Sequence, residues 1–414
     1  MNILVLHRIP YHYINYASTI DHDEHHVVYV GVDSALENIP LEINCSKVVR
    51  GTAQPVHKEV LTAIETLEIT FDLIISLSEY ELMEAAKVRE ALGVKGPSVD
   101  QVTLVRDKVA MKKAVIAHKL RVPTFSSLKE WLIDKADFDA EFEMILKPVD
   151  GASSENVVKF PNSLSLKHAL DGRSTGVPQL DQDTPNYDGF EVEEFISGAV
   201  RHFDGIVRNG QVTLCVGSRY INTLYEFAAH GMPSASVQQD LTEHECDWVQ
   251  RAVAAVQIEQ GVFHLEAIET KEELVFLEIA HRAGGARIIP TFAKQTGVHL
   301  PSVELSLLLN PNYQPEITLD RENKYAWIIV PGHHYDKPYC RVSGYESLSS
   351  YDGLLALEVI APDKPLPSNI SYLENQIPLT AFIKASTTHQ LEELIQTLFT
   401  NLTIELSDTP FNHL

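Results

Sequence analysis

The chain has 414 residues, of which 44% are hydrophobic and 22% charged, and its formal net charge is −24. Its length predicts roughly two to four domains, and its composition is ordinary for a globular protein with a large core. The acidic balance argues against nucleic acid as a partner, because phosphate-backbone binding needs a basic face, and we interpret it as a solubility feature.

Membrane, secretory and cysteine-based functions have no support in the sequence. No apolar stretch approaches the ~20 residues that span a bilayer. The first apolar residues lack a preceding basic run, so they predict a buried strand and not a signal peptide, and we expect a cytoplasmic protein without a membrane partner. The cysteines lie far apart without a CxxC pair, which favours reduced, mostly buried thiols at Cys45, Cys215, Cys246 and Cys340.

Three short apolar runs near the N-terminus predict the strands of a parallel sheet. They cover residues 2–6, 27–31 and 73–77. Helix-like segments such as 57–67 alternate with them, a pattern typical of a doubly wound α/β fold. Residues 79–92 predict an amphipathic helix that ends at Gly93. We therefore expect an N-terminal α/β domain of about 100 residues.

The middle of the chain predicts a hairpin with a small-residue loop at its tip. A helix over 107–119, with Asp107 as its N-cap, comes first. The hairpin consists of strands 144–148 and 157–160 around a loop at 150–156. Residues 171–189 are rich in Asp, Gly, Pro and Thr and predict a mobile connector.

The remaining chain predicts mostly strands, with an Asn209-Gly210 hairpin turn. Predicted strands are 190–196, 202–207, 212–216, 262–268, 274–279, 325–330 and 355–360. Predicted helices are 241–260, 300–309 and one near 389–400. A β-rich region therefore begins at about residue 324.

Four local patterns carry candidate chemistry, and the first is a pair of lysines. Lys108 opens a predicted helix, and Lys147 lies at the end of the strand that leads into the 150–156 loop. An ammonium group that faces free backbone N–H groups is a natural partner for a nucleotide phosphate. For either lysine alone, a solvated surface charge is the simpler interpretation.

The second pattern is an acidic strand that runs into a glycine turn, EVEEFISG at residues 191–198. Such a strand can present backbone N–H and C=O groups to an adenine edge, while a neighbouring carboxylate accepts from the amino group. An edge strand with solvent-facing acids is an equally good interpretation of this segment by itself.

The third pattern is the pair Glu266 and Glu278 on two predicted strands joined by a short turn. Two carboxylates held side by side repel each other unless a cation lies between them, and hard oxygen ligands favour magnesium. The alternative is a pair of exposed acids on opposite faces, which the apolar neighbours of Glu278 disfavour.

The fourth pattern is RAGGAR at residues 282–287. The glycines Gly284 and Gly285 permit close backbone approach by a ligand. Arg282 could stabilise the negative charge that grows on a tetrahedral intermediate. The alternative is a structural turn whose arginine pairs with a nearby acid.

Taken in order, these residues resemble the ATP-grasp superfamily over about residues 70–310. The resemblance rests on Asp107-Lys108, Lys147-Pro148 with its serine-containing loop, EEFISG, HLE at 264–266 and FLE followed by RAGG at 276–285. The E-x-x-x-R-x-G-G ending and the long segment around 219–240 look most like the L-amino-acid ligases that make dipeptides.

The resemblance implies an α/β ATP-grasp fold in three parts. These are an N-terminal Rossmann-like domain at 1–105, a lid subdomain at 106–197, and a C-terminal catalytic domain at 198–414 with a β-rich extension from about 320. Dimerisation is a family expectation.

The resemblance also implies a role for each motif residue. ATP-binding residues would be Lys108, Lys147, Ser153, Ser154, Glu193, Glu194, Phe195, Ile196 and Leu277, with 150–156 as the lid over the phosphates. Glu266 and Glu278 would hold Mg²⁺, with Mn²⁺ as a substitute, and Arg282 would be catalytic. Substrate contacts would come from Glu226, His230, Gly284, Gly285 and Arg287.

Two positions depart from the family pattern. Many members carry asparagine where this chain has Ala280, so the metal shell could hold fewer protein ligands. Many members carry an acid where it has Val200, which leaves His202 or Asp204 as alternative ribose contacts.

The implied reaction is an ATP-dependent ligation of a carboxylate and an amine, most simply two amino acids, through an acyl phosphate with release of ADP and phosphate. The alternatives are a ligase for a non-amino-acid carboxylate and a non-catalytic ATP-binding protein.

Overall fold

The computed structural model describes residues 1–134 and 141–411. Its N-terminal elements are β1 (Asn2–Leu6), α1 (Tyr11–Ile14), β2 (His26–Gly31), α2 (Asp33–Leu36), β3 (Ser46–Val49), α3 (Val56–Ile64) and β4 (Leu73–Ile75). The strands form a parallel sheet of order β3-β2-β1-β4. The three predicted apolar runs correspond to β1, β2 and β4, which confirms the parallel α/β prediction. β3 was not predicted, because only every second residue of it is part-buried.

Three helices link this sheet to the rest of the molecule. They are α4 (Leu82–Leu92), α5 (Val99–Arg106) and α6 (Lys108–Ala117), and a 3-10 turn, Glu79–Glu81, precedes them. As predicted, α4 ends at Gly93, which adopts a left-handed φ of 67°. As predicted, Asp107 caps α6 and accepts from two backbone N–H groups of its first turn. The sequence analysis missed α5, although Ser98 and Gln101 form its capping box.

A second sheet follows. Its elements are β5 (Phe125–Ser127), α7 (Leu128–Ile133), β6 (Met144–Pro148), β7 (Val158–Phe160), α8 (Ser163–Asp171) and β8 (Phe190–Glu194). The strands are antiparallel in the order β5-β8-β6-β7, and β6 and β7 form the predicted hairpin. In the loop between them, Ser153, Ser154 and Asn156 all have positive φ angles. We call this four-stranded sheet the lid sheet.

The segment at 171–189, predicted as a mobile connector, is packed against the lid sheet. Val177 and Leu180 are buried in the same cluster as Trp131. The Asp181 carboxylate accepts from the backbone N–H groups of Thr175 at 2.8 Å and Gly176 at 2.9 Å. The polar residues of this segment therefore build hydrogen-bonded turns, which the composition alone did not reveal.

The rest of the chain forms a large antiparallel sheet with flanking helices. Its elements are β9 (Ala199–Arg208), β10 (Gln211–Ile221), α9 (Leu224–His230), β11 (Ser234–Gln239), α10 (Glu243–Ala255), β12 (Gln260–Glu269), β13 (Leu274–Ala280), α11 (Ile288–Thr296), α12 (Leu300–Leu309), β14 (Lys324–Val330), β15 (Tyr339–Ser343), α13 (Glu346–Ser349), β16 (Leu354–Val359), β17 (Leu379–Ala385), α14 (Thr388–Asn401) and β18 (Thr403–Ser407). The eight-stranded order is β13-β12-β9-β10-β11-β14-β17-β16, and β15 pairs with β18 separately.

Several predictions for this region are confirmed. Asn209 and Gly210, with φ angles of 50° and 71°, form the predicted turn between β9 and β10. The sequence analysis missed α9, β11, α11, β15, α13, β17 and β18. No helix among the described residues is long and apolar enough to cross a membrane.

The N-terminal sheet, the lid sheet and the large sheet each lie within one of the three ranges predicted as domains, and the division into domains stays a prediction. One buried contact joins two of these ranges. Leu305 of α12 is fully buried in the N-terminal core with Ile3 and Val27. The N-terminal sheet and the large sheet therefore share part of one core.

Candidate active site

A cavity of about 470 Å³ lies between the lid sheet and the large sheet. Its walls come from β6, β8, the 150–156 loop, α9, β12 and β13. The predicted site residues that line it are Lys108, Lys147, Ser153, Ser154, Glu193, Glu194, Phe195, Ile196, Glu226, His230, Glu266, Leu277 and Glu278. The fold thus brings together residues that lie up to 170 positions apart in the chain.

One wall of the cavity contains a buried quartet of two lysines and two glutamates. Lys147 Nζ lies 2.6 Å from Glu193 Oε1, and Lys112 Nζ lies 2.6 Å from both Glu193 Oε2 and Glu191 Oε1. Burial would raise the pKa of Glu193, but the charges of Lys112 and Lys147 outweigh it and lower that pKa. Burial would lower the pKa of Lys147, but Glu193 and Glu191 raise it. The Lys147 ammonium is therefore held charged at the cavity wall.

Sequence reasoning missed Lys112 and its ion pairs with Glu191 and Glu193. Lys112 is fully buried, one helical turn after Lys108 on the inward face of α6. The four-residue spacing could have indicated this, because residues i and i+4 of a helix lie on the same face, so Lys112 is expected to point the same way as Lys108. The Glu193 carboxylate, predicted to contact adenine, forms ion pairs with both lysines and lies at the cavity wall as their counter-ion.

An apolar patch lines the cavity where β8 ends. Ile196, Ile268 and Val275 are buried together, with Val200 and Leu277 packed against them. Nearby, Phe195 lies under the Lys159 ammonium at 3.5 Å. An apolar surface beside a strand end with backbone polar groups suits the face and edge of an adenine ring.

The turn after this strand requires a glycine. A Cβ atom at Gly198 would lie 2.4 Å from the backbone oxygen of Glu269, so no other residue fits without displacing β12. Glu194, predicted to contact adenine, lines the cavity, and its Oε2 atom accepts from Thr124 N at 3.2 Å and from Thr124 Oγ1 at 3.1 Å.

Glu266 on β12 stands directly opposite Glu278 on β13. Glu266 Oε1 accepts a hydrogen bond from Tyr220 OH at 3.0 Å, and Glu278 Oε2 lies 3.2 Å from Lys108 Nζ. Burial would raise the pKa of Glu278, but Lys108 and Lys147 lower it to about 2. Carboxylate oxygens that converge on a cavity from neighbouring strands fit the ligand preference of Mg²⁺.

Behind Glu266 lies a buried polar cluster that the sequence did not predict. Asp204 accepts from His202 Nδ1 at 2.7 Å and from His264 Nδ1 at 2.8 Å, and His264 Nε2 lies 3.4 Å from Glu266 Oε1. Burial would lower the pKa of His264, but Asp204 and Glu266 raise it to about 10. His202 and Asp204 do not line the cavity, because both side chains are enclosed in this cluster, which argues against either as a ribose contact.

The RAGGAR segment lies outside the cavity lining. Arg282 donates from Nε to Glu79 Oε2 and from Nη1 to the backbone oxygen of Ala283, the latter at 2.7 Å. Burial would lower the pKa of Arg282, but Glu79 raises it. A Cβ atom at Gly284 would lie 2.9 Å from atoms of the buried polar cluster, whereas Gly285 faces open space.

Arg287, predicted as a substrate contact, has protein partners in this structure. Its guanidinium is paired with Glu374 and, at 3.7 Å, with Glu358, and its Nε donates to Thr380 Oγ1 at 3.2 Å. These partners come from the C-terminal region, far along the chain, so local sequence patterns could not reveal them. Arg287 therefore ties the RAGGAR segment to β16, β17 and the loop between them.

The predicted substrate residues Glu226 and His230 lie on α9, on the far side of the cavity. The Glu226 carboxylate accepts from the backbone N–H of Thr223 at 2.6 Å and so forms a capping box. Sequence reasoning missed Tyr372, which stacks on Phe227 at 5.1 Å and donates to the backbone oxygen of Ser153 at 3.2 Å. The C-terminal region thus contacts the 150–156 loop directly.

Comparisons with known proteins agree with this arrangement. Residues 140–290 match the ATP-grasp domain family. Over 307 residues, 72% of this chain and 71% of the relative, the chain is 27% identical to an L-arginine-specific L-amino acid ligase of Bacillus subtilis. The structure is similar to that of an L-amino acid ligase from Bacillus licheniformis, with a TM-score of 0.72, 18% identity and 98% of each chain covered. It also resembles N5-carboxyaminoimidazole ribonucleotide synthetase from Thermotoga maritima, with a TM-score of 0.65, 14% identity, and 98% and 99% of the two chains covered.

Residues 140–290 therefore match an ATP-grasp domain, and the predicted ATP-grasp fold is confirmed. The chain is an ATP-binding ligase of the class that forms a carbon–nitrogen bond and releases ADP, similar to the L-amino acid ligases.

Proposed function

We propose that this enzyme joins two amino acids into a dipeptide, forming the amide bond through an acyl phosphate and releasing ADP and phosphate. The observation that carries the proposal is the convergence of Lys108, Lys147, Glu266 and Glu278 on one cavity. The similarity to L-amino acid ligases supports amino acids as the substrates.

In the first step the substrate carboxylate attacks the γ-phosphorus of ATP, ADP leaves, and an acyl phosphate forms. Lys147 and Lys108 are held by Glu193 and Glu278, so their positive charges are placed before the nucleotide binds, which is electrostatic preorganisation. Adenine packs against the patch of Ile196 and Leu277. Closure of the 150–156 loop excludes water, which would otherwise hydrolyse the acyl phosphate.

The paired carboxylates Glu266 and Glu278 hold Mg²⁺ in this proposal. Bound Mg²⁺ neutralises negative charge on the phosphate oxygens. The hydrogen bond from Tyr220 and the neighbouring His264 fix the orientation of Glu266, as the supporting partners of metal ligands commonly do. Ala280 offers no further ligand, so Glu266 and Glu278 would be the protein groups that hold the ion.

In the second step the amine of the second amino acid attacks the acyl carbon, and phosphate leaves as the amide forms. Arg282 stabilises the negative charge of the tetrahedral intermediate. Glu226 and His230, on the α9 wall of the cavity, contact the substrate that supplies the carboxylate.

The test is a measurement of ADP and phosphate release with Mg-ATP against pools of the twenty amino acids, with mass spectrometry of the products. The proposal predicts a new product whose mass equals two amino acids less one water. ADP release without a condensed product would contradict amide formation. No ADP release with any pool would contradict amino acids as the substrates and favour another carboxylate.

A matched pair of variants connects the activity to the cavity. Lys147→Met removes a charge beside the nucleotide and is expected to raise the KM for ATP and lower kcat. Lys129→Met removes an exposed lysine of the lid region that pairs with the exposed Asp188, and this change should leave both constants unchanged. Equal effects of the two variants would contradict the phosphate role of Lys147.

A further inference from the structure

Glu79 is a buried carboxylate that none of the site motifs includes. It lies in the 3-10 turn just after β4, at the carboxyl end of the parallel N-terminal sheet. Ligands of such sheets bind at this edge. Its side chain is 9% exposed and lies between two guanidinium groups, those of Arg282 and Arg106.

The charge state of this group follows from its neighbours. Burial would raise the pKa of Glu79, but Arg282 and Arg106 lower it, so the carboxylate is ionised. A buried ion pair contributes little net stability compared with apolar residues of similar volume. Fixing the geometry of a guanidinium is therefore a better reason for the contact than stabilising the fold.

The contact with Glu79 leaves one nitrogen of the Arg282 guanidinium free to donate to a ligand. Its Nε donates to Glu79, and its Nη1 donates to the backbone oxygen of Ala283. Among the described residues, no hydrogen bond is formed by Nη2. The Arg282 side chain is 20% exposed, so the guanidinium is not fully enclosed by protein.

Arg106, the other partner of Glu79, leads to the lid loop. It is the last residue of α5, and its Nη2 donates to the backbone oxygen of Asp150, the first residue of the 150–156 loop. The next residue of that loop, Gly151, accepts from Lys108 Nζ at 2.7 Å. One carboxylate of the N-terminal domain thus contacts the predicted catalytic arginine directly and the base of the lid loop through Arg106.

We propose that Glu79 is a positioning residue, which holds the Arg282 guanidinium towards the acyl centre and, through Arg106, couples that orientation to the lid loop. The proposal rests on the proposed function, because it assigns Glu79 a role in the ligation step. It gives the N-terminal domain a direct part in catalysis.

The test is Glu79→Gln, which keeps the shape of the side chain and removes its charge. We expect kcat to fall by about 100-fold, the cost of a catalytic group misplaced by about 1 Å, while the KM for ATP stays within about twofold. Glu81→Gln is the matched control. Glu81 is a buried carboxylate of the same turn, but it pairs with Arg50 at 2.9 Å, so its loss is expected to lower stability without lowering kcat.

A double-mutant cycle separates positioning from a structural role. In an Arg282→Lys background, Glu79→Gln should lower kcat by less than about threefold, because residues that act as a unit are not additive. A full 100-fold loss in that background, or an equal loss of kcat in Glu81→Gln, would overturn the proposal. If Glu79→Gln does not fold, Glu79→Asp replaces it, because aspartate keeps the charge. Glu79→Asp should have a higher kcat than Arg282→Lys. A lower kcat in Glu79→Asp than in Arg282→Lys would overturn the proposal.

The failure of this proposal is distinguishable from the failure of the proposed function. Protein labelled with ¹⁵N-arginine gives an Nε–H resonance for Arg282, assigned by its loss in Arg282→Lys. If no amino acid pool is turned over, the dipeptide proposal fails, but a shift of this resonance in Glu79→Gln and not in Glu81→Gln still supports positioning. An unchanged resonance contradicts the Glu79 proposal whether or not the enzyme makes dipeptides.

Discussion

Glu266 and Glu278 stand directly opposite each other across the β12–β13 hairpin, and both carboxylates line the cavity, an arrangement that fits the ligand preference of Mg²⁺. Glu278→Gln is therefore expected to lower kcat by more than about 100-fold, beyond the usual effect of losing a residue that only supports a metal ligand. Steady-state rates over a range of Mg²⁺ concentrations measure the effect. The control is Glu272→Gln in the exposed turn of the same hairpin. A Glu278→Gln enzyme with the wild-type rate and Mg²⁺ dependence would refute the metal site.

Arg282→Ala is expected to lower kcat by about 100- to 1,000-fold, the effect of losing one donor to a developing oxyanion. ATP binding should be nearly unchanged, because Arg282 does not line the cavity. Nucleotide titration and steady-state rates measure the two quantities separately. Arg321→Ala, at an exposed position, serves as the control. If nucleotide binding and turnover fall together, Arg282 has a role in nucleotide binding or folding instead.

Lys112→Met is expected to lower the free energy of unfolding by about 3–5 kcal/mol, because it leaves Glu191 without its closest cation in the protein interior. Lys113→Met changes the next residue of the same helix, which is exposed, and should cost less than about 0.5 kcal/mol. Denaturant unfolding of the two variants gives the comparison. Similar midpoints would show that the buried quartet does not stabilise the fold.

Cys246 is expected to react first with a thiol reagent at pH 8, because it is exposed, whereas Cys340 is buried. Burial raises the pKa of the Cys340 thiol to about 11, so the reactive thiolate is scarce at that pH. The same shift makes Cys340 favour the folded state fully below pH 9, the value of an ordinary thiol, and progressively less above it. Mass spectrometry of alkylated peptides gives the order of reaction. Early labelling of Cys340 in folded protein would contradict its burial.

Local patterns were sufficient for much of this molecule. The apolar runs of β1, β2 and β4 are continuous because both faces of a parallel sheet are covered, so their burial is visible in the sequence. Glu266 and Glu278 could be paired because one short hairpin fixes which residues lie opposite each other. The ordered motifs then indicated which side chains would meet at the cavity.

Other features depend on contacts between distant segments, and the sequence does not encode those in any local pattern. Arg287 was expected to contact substrate, yet Glu374 and Thr380 hold it from more than eighty residues away. The alternative noted for Arg282, pairing with a nearby acid, is also realised, but that acid is Glu79, 203 residues earlier. Such partners are set by how the sheets pack together.

The burial of Leu305 among β1 and β2 residues has a practical consequence for anyone who builds chimaeras of this enzyme. A breakpoint placed between the N-terminal sheet and the next segment would separate that sheet from α12, which comes some two hundred residues later but fills part of its core. Grafting the first hundred residues of a relative would therefore leave poor packing between the new sheet and α12, unless α12 is exchanged along with them.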